Sequence, residues 1–132
     1  MSRNPILNAS LNAALCRVGA GDRIAVISGR FPAPEGVEVV DLALCAGVPD
    51  LKTTIELLMS QLEVDQITRT EELEKVSPSL LALVESAAAA VDAKMEALTY
   101  RQFKILTKSA RFVVRIGEEE VQASVVLRER EV

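Results

Sequence analysis

An α/β domain is what this sequence predicts, and three observations predict it. Short β-branched runs such as Arg23 to Ile27 alternate with segments whose apolar residues recur at helical spacing, so the hydrophobic period switches repeatedly along the chain. Helix starts are marked by capping residues, at Asn8 or Ser10, at Asp50, and at Ser77 followed by Pro78. The length of 132 residues, 49% hydrophobic and 26% charged, fits one domain over residues 1–132 with a proper core and no linker.

The elements follow in order. A first helix presents Leu11, Ala14, Leu15 and Val18, with Gly19 as its left-handed stop. Arg23 to Ile27 is a buried strand. The Pro- and Gly-rich stretch Ser28 to Gly36 is a rigid loop leading to a second strand, Val37 to Val40. Asp50 opens a helix carrying Leu51, Ile55, Leu58 and Leu62, and Val64 to Thr68 forms the next strand. Ser77 and Pro78 start a Leu- and Ala-rich helix reaching about Val91, whose low bulk suits close packing against a neighbour. Met95 to Leu98 reads as a strand and Arg101 to Lys108 as a short helix. Phe112 to Ile116 and Val121 to Leu127 read as a closing hairpin turned by Gly117 and the acidic run Glu118-Glu119-Glu120.

Composition excludes several functions. A net charge of −4, with no Lys/Arg cluster or interleaved aromatics, argues against nucleic acid as a partner. No apolar run approaches the roughly twenty residues that span a bilayer, and Met1 to Pro5 lacks a signal peptide's apolar core, so no membrane is expected and the cytoplasm is the expected compartment. Cys16 and Cys45 are too few and too far apart for a metal site or disulfide framework and read as small buried hydrophobes. The chain contains no histidine, which rules out a Ser-His-Asp apparatus; Ser28 beside Gly29 is no nucleophile elbow. Gly19-Ala20-Gly21 follows a helix and precedes a strand, the reverse of dinucleotide-binding order.

Ile6-Leu7-Asn8, Arg17-Val18-Gly19, Asp22, Phe31-Pro32, Pro34, Val40 to Leu44 and Gly47-Val48-Pro49 together resemble the N-terminal half of the D-ribose pyranase and L-fucose mutarotase family. The resemblance continues through Gln102-Phe103-Lys104 and Arg115 to Glu118, so it spans nearly the whole chain. It implies a three-layer α/β/α subunit with a mixed sheet, assembled as a homo-oligomer, a pentameric ring or a decamer, with sugar sites shared between neighbours. It implies interconversion of ring forms or anomers of a free monosaccharide with no metal and no organic cofactor. Ring opening needs a proton delivered to the ring oxygen while another leaves the anomeric hydroxyl, work the resemblance assigns to a His/Asp pair.

Here the chain departs from the family it resembles. The position that resembles the family's histidine carries Ala20, which has no proton to give, and the position of its aspartate carries Ser28, a poor acid or base at neutral pH. Among positions that the resemblance places at the sugar, Tyr100 stands where many relatives have histidine. Gln122 and Ser124 stand where they have tyrosine and asparagine, and the tail ends in Arg128-Glu129-Arg130-Glu131.

Polar residues that persist have structural readings too. Asn8 is a cap, Asp22 a turn residue, Asp41 an anchor for the next loop, and Arg115 and Glu118 an ion pair across the turn. Lys104 is either a sugar contact or an exposed helical lysine. The candidate ligand-binding set is therefore Lys104, Tyr100, Gln122, Ser124, Ser28 and Asp22, with a small monosaccharide or polyol as partner. Three functions are open: a non-catalytic sugar-binding or sensor protein; a mutarotase whose chemistry has moved to Tyr100, Lys104 and a carboxylate among Asp22, Asp41 and Glu118; and a structural protein whose charged C-terminal strand recruits a partner.

Overall fold

The computed structural model describes residues 4–131; Met1 to Arg3, in the segment read for targeting signals, lie outside them. Chain order is α1 (Ala9–Leu15), β1 (Arg23–Ile27), β2 (Val39–Asp41), α2 (Leu51–Met59), β3 (Val64–Thr70), α3 (Leu73–Val76), α4 (Pro78–Ala90), β4 (Lys94–Leu98), α5 (Tyr100–Thr107), β5 (Phe112–Arg115) and β6 (Val125–Glu129). The strands form one six-stranded sheet in the order β2-β5-β1-β6-β3-β4. β2, β5 and β1 run parallel, β6 pairs antiparallel with both β1 and β3, and β3 runs parallel to β4. The sheet is mixed, as the family resemblance implies.

Caps set the helix starts. Asn8 accepts the Leu11 amide at 2.8 Å, Asp50 the Thr53 amide at 2.9 Å, and Ser77 the Leu80 amide at 3.3 Å, each satisfying a donor that the first turn leaves open. Thr99 and Gln102 form a capping box at the start of α5. α1 ends earlier than expected: its C-cap is Cys16 in the right-handed region, and the positive φ of 80° falls at Gly21, not Gly19. Gly21 makes the turn into β1, donating its amide to the Glu129 carbonyl.

Strand alternation divides the core into two layers. Ile24 and Val26 of β1 join Phe112, Val114, Val125 and Leu127 beneath α1, α2, α3 and α4. Ala25 and Ile27 join Val113 and Val126 beneath Phe103 of α5 and Phe31 of the loop after β1. β5 and β6 are buried on both faces, which is why their sequences alternate poorly.

The predicted closing hairpin is not formed. β1 lies between β5 and β6, pairing with both, so residues 116–124 arch over its end. Both cysteines are exposed instead of buried, Cys16 at the end of α1 and Cys45 in the loop after β2. Arg115 and Glu118 do not pair: Arg115 bonds Asp41, and Glu118 accepts the Leu51 amide at 2.8 Å, adding a second carboxylate at the start of α2. One element, α3, was not expected from the sequence. α4 buries only Val84 and Ala88 and leaves most of its small residues exposed.

Candidate sugar site

The carboxyl end of β1 is held by neighbours from four segments. Arg115, in register with Ile27, donates through Nη1 to both Asp41 oxygens at 3.2 and 3.1 Å and through Nη2 to the Gly29 carbonyl at 2.8 Å. One guanidinium thereby ties the ends of β1, β2 and β5 together. Gly117 explains why the following arch lies so close. A Cβ there would stand 2.3 Å from the Val48 carbonyl oxygen and 2.5 Å from both the Cys45 carbonyl oxygen and the Val48 nitrogen. Gly117 also exchanges backbone hydrogen bonds with Pro49 and Gly47. Those contacts press the 45–49 loop, with its cis Val48–Pro49 bond, onto the arch.

Ser28 occupies the end of this strand and is wholly shielded from solvent. Its amide donates to Ser124 Oγ at 3.0 Å, and the Ser124 hydroxyl in turn donates a hydrogen bond to the Val121 carbonyl at 3.0 Å. Ser28 Oγ has no partner among the described residues, and neither does Gln122 Oε1 in the same arch. Two residues expected at the ligand, Ser28 and Ser124, therefore meet, but they meet beneath the surface of the single subunit.

Phe31 carries the arrangement outward. Its amide donates to the Ser28 carbonyl, and its ring packs edge-on against Tyr100 at 5.8 Å and Phe103 at 5.6 Å. Burial pushes the Tyr100 phenol above its ordinary pKa. Lys104 Nζ lies 5.5 Å above the Tyr100 ring, one turn further along α5, and its side chain is exposed. Ser28, Ser124, Gln122, Tyr100 and Lys104 thus belong to one end of the subunit, linked through Phe31 and the arch.

Ala20 and Asp22 do not. They precede β1, whereas Ser28 follows it, and five extended residues at about 3.3 Å each put roughly 17 Å between the two ends of the strand. Asp22 accepts the Gly19 amide at 2.8 Å and faces Arg111 at 3.8 Å, which is a turn-holding role. Ala20 is exposed beside Glu63, Glu129 and Arg130. The two positions that resemble the family's acid–base pair cannot touch one ligand from within one chain.

Sequence reasoning passed over Phe31 as a connector and Gly117 as a steric necessity. The Phe31-Pro32 pair was visible as part of the resemblance, but nothing local marked its contact with α5.

These features define a class: a mixed-sheet α/β subunit without histidine, whose candidate polar residues sit at the carboxyl end of a central strand, in the arch over it, and on the one helix of that face. The chain belongs to the RbsD / FucU transport protein family, whose model matches residues 1–130. It is 35% identical over 127 residues to the D-ribose pyranase of Pseudomonas putida, covering 96% of each chain, and 34% identical over 128 residues to the D-ribose pyranase of Pseudomonas fluorescens. The structure of Bacillus subtilis RbsD complexed with D-ribose superimposes with a TM-score of 0.92 at 28% identity, covering 100% of this chain and 99% of that one. The fucose mutarotase of Streptococcus pneumoniae, solved with L-fucose, shares the fold at a TM-score of 0.72 and 17% identity, covering 98% of this chain and 96% of that one. Among the described residues no helix is long and apolar enough to cross a membrane. No group of three or more potential metal ligands gathers among them either.

Proposed function

We propose that this chain is a non-catalytic sugar-binding member of its family: a single-domain cytoplasmic protein that assembles into a ring and takes a small monosaccharide or polyol without accelerating exchange between its anomers. The observation that carries this reading is the joint chemistry of Ala20 and Ser28. One is a methyl group on an exposed turn and the other a hydroxyl sealed beneath the arch, and no histidine stands anywhere in the chain to replace them.

Three features support the assembly. Ala20 and Ser28 sit at opposite ends of β1, so a site using both positions needs two chains. Ser28 Oγ and Gln122 Oε1 are buried and unpartnered, the state of groups that await a ligand or a neighbour. Replacing a histidine and a carboxylate by alanine and serine also removes the desolvation penalty of burying those groups between subunits. The D-ribose pyranase relatives and the ribose-complexed RbsD make D-ribose the first ligand to try.

The test is NMR on purified protein with free monosaccharides including D-ribose and L-fucose. Saturation transfer from protein to sugar is expected without faster anomer exchange in the same samples. Exchange well above a buffer blank would sink the reading, and so would the absence of binding across the panel.

A further inference from the structure

We infer that β4, one edge of the sheet, pairs antiparallel with β4 of a second copy of this chain about a two-fold axis through Met95, so that two six-stranded sheets continue into one another. This contact goes beyond the sugar-binding reading and is distinct from the head-to-tail contacts that close a ring.

β4 is uncovered. Four of its five residues, Lys94 to Ala97, are exposed and Leu98 is half-buried, so the strand presents both faces as well as a free edge. Ala93 packs into the core layer beneath α4 and Leu98 into the layer beneath α5. By the period of two, Met95 and Ala97 share the first face with Ala93, while Lys94 and Glu96 share the second with Leu98. An open edge of this kind is a template for another strand. The opposite edge is less open: β2 has only three residues, and its Asp41 is held by Arg115.

The backbone says which groups are free. The Leu98 carbonyl accepts the Glu71 amide at 2.8 Å, so Leu98 faces β3 with its N–H and C=O, and so do Glu96 and Lys94 two and four residues earlier. Met95 and Ala97 turn theirs to the open edge. Residues directly opposite in an antiparallel pair share a face, so a two-fold axis must pass through a residue of the strand.

Charge then selects the residue. An axis at Lys94 sets two ammonium groups against each other and Asp92 against Glu96, and an axis at Glu96 opposes two carboxylates. An axis at Met95 places Lys94 opposite Glu96 of the second copy, twice, with Met95 on Met95 and Ala93 on Ala97. Neither Lys94 nor Glu96 has an ion-pair partner among the described residues of its own chain; Glu96 accepts only the Thr68 hydroxyl, at 3.1 Å. Because Met95 faces outward, the two copies of Met95 exchange a pair of N–H···O bonds. The Lys94–Glu96 pairs fall in the intervening positions, where opposite side chains approach most closely. The Ala97 amide meets the Ala93 carbonyl of the second copy, whose own amide is already spent on Ala88. Met95, 36% exposed, is covered by its counterpart.

Sedimentation across a range of protein concentrations tests the pairing. The parent should form an even multiple of the chain mass that halves on dilution. Lys94→Glu and Glu96→Lys should each raise the concentration at which it halves by about tenfold, because each turns two attractive cross-strand pairs into two repulsive ones. The double exchange Lys94→Glu/Glu96→Lys should return that concentration to the parent's. In a Cys16→Ser/Cys45→Ser background, Met95→Cys should link two copies on mild oxidation and Ala97→Cys should not, since only residue 95 meets itself. An odd multiple of the chain mass, single variants that dissociate like the parent, or equal linking at 95 and 97 would overturn the pairing and leave sugar binding untouched. A monomer at every concentration would overturn both the pairing and the ring.

Discussion

Replacing Ser28 by aspartate returns the family's carboxylate to its strand, and the structure says what that should do to a single subunit. The side chain is fully buried, and the donors around it are committed: the Ser124 hydroxyl donates to the Val121 carbonyl, while Arg115 donates to Asp41 and the Gly29 carbonyl. An introduced carboxylate would be a buried charge without a partner, for which about 3–5 kcal/mol of destabilisation is expected. Its pKa would rise above the unfolded value, so the folded state would hold the proton more tightly than the unfolded chain. The penalty is then absent below the unfolded pKa of about 3.9 and grows as pH rises toward the folded pKa. Urea unfolding of Ser28→Asp and Ser28→Asn, at fixed protomer concentration and at pH 5 and 8, separates charge from shape. The two variants should be closer in stability at pH 5 and the aspartate variant clearly weaker at pH 8. Equal stability at both values would refute the reasoning, because it would mean that water or a free donor reaches Ser28.

Gly117→Ala should cost roughly 2–4 kcal/mol in denaturant unfolding, because the methyl group would collide with backbone at Val48 and Cys45 and disrupt the hydrogen bonds to Gly47 and Pro49; a loss under about 0.5 kcal/mol would show that the 45–49 loop gives way freely. Asp65 accepts from Arg128 at 2.8 Å, with both side chains about three-quarters buried, and that bond holds its carboxyl below the usual range. Its folded pKa is depressed, so its stabilisation is present above the unfolded value of about 3.9 and is lost as pH falls through the lower folded pKa; Asp65→Asn should lose about 1 kcal/mol at pH 7, and the gap to the parent should close in acid.

What the sequence disclosed and what it hid divide by range. Asn8, Asp50 and Ser77 were legible as caps because a cap bonds a donor only a few residues away. The strand cores were legible as β-branched runs, and residues 23–27 were read within the bounds that β1 occupies. Strand order was not, because an acidic turn between two apolar runs looks the same whether they pair or admit a third strand between them. Arg115 and Glu118 were misread for the same reason, since their true partners, Asp41 and the Leu51 amide, are 74 and 67 residues distant. Ser28 and Ser124 were each legible as site positions through the family resemblance, but their mutual contact spans 96 residues and no local pattern reports it. The cysteines failed through base rate: Cys is usually buried, and both of these fall at element ends where the chain is exposed. The separation of Ala20 from Ser28 was available from the start, since a strand between two positions holds them apart.

That separation can be used to learn how copies of the chain meet. If the proposed site draws position 20 from one chain and position 28 from its neighbour, Ala20→His and Ser28→Asp made in different chains should complement each other on mixing. Each single variant alone would assemble sites with only half of the acid–base pair, whereas the double variant would complete every site. Random co-assembly of equal amounts of the single variants completes about one site in four, so anomer exchange should reach roughly a quarter of the double variant's rate. Mixing after refolding together, not after separate assembly, ensures that the chains interleave. The introduced histidine would also give the introduced carboxylate the donor it lacks in a single subunit, so the double variant should be more stable at pH 8 than Ser28→Asp alone. Exchange in the double variant with none in the mixture would mean that both positions serve one site from one chain. That result would contradict the roughly 17 Å that β1 places between them and would refute the shared-site arrangement.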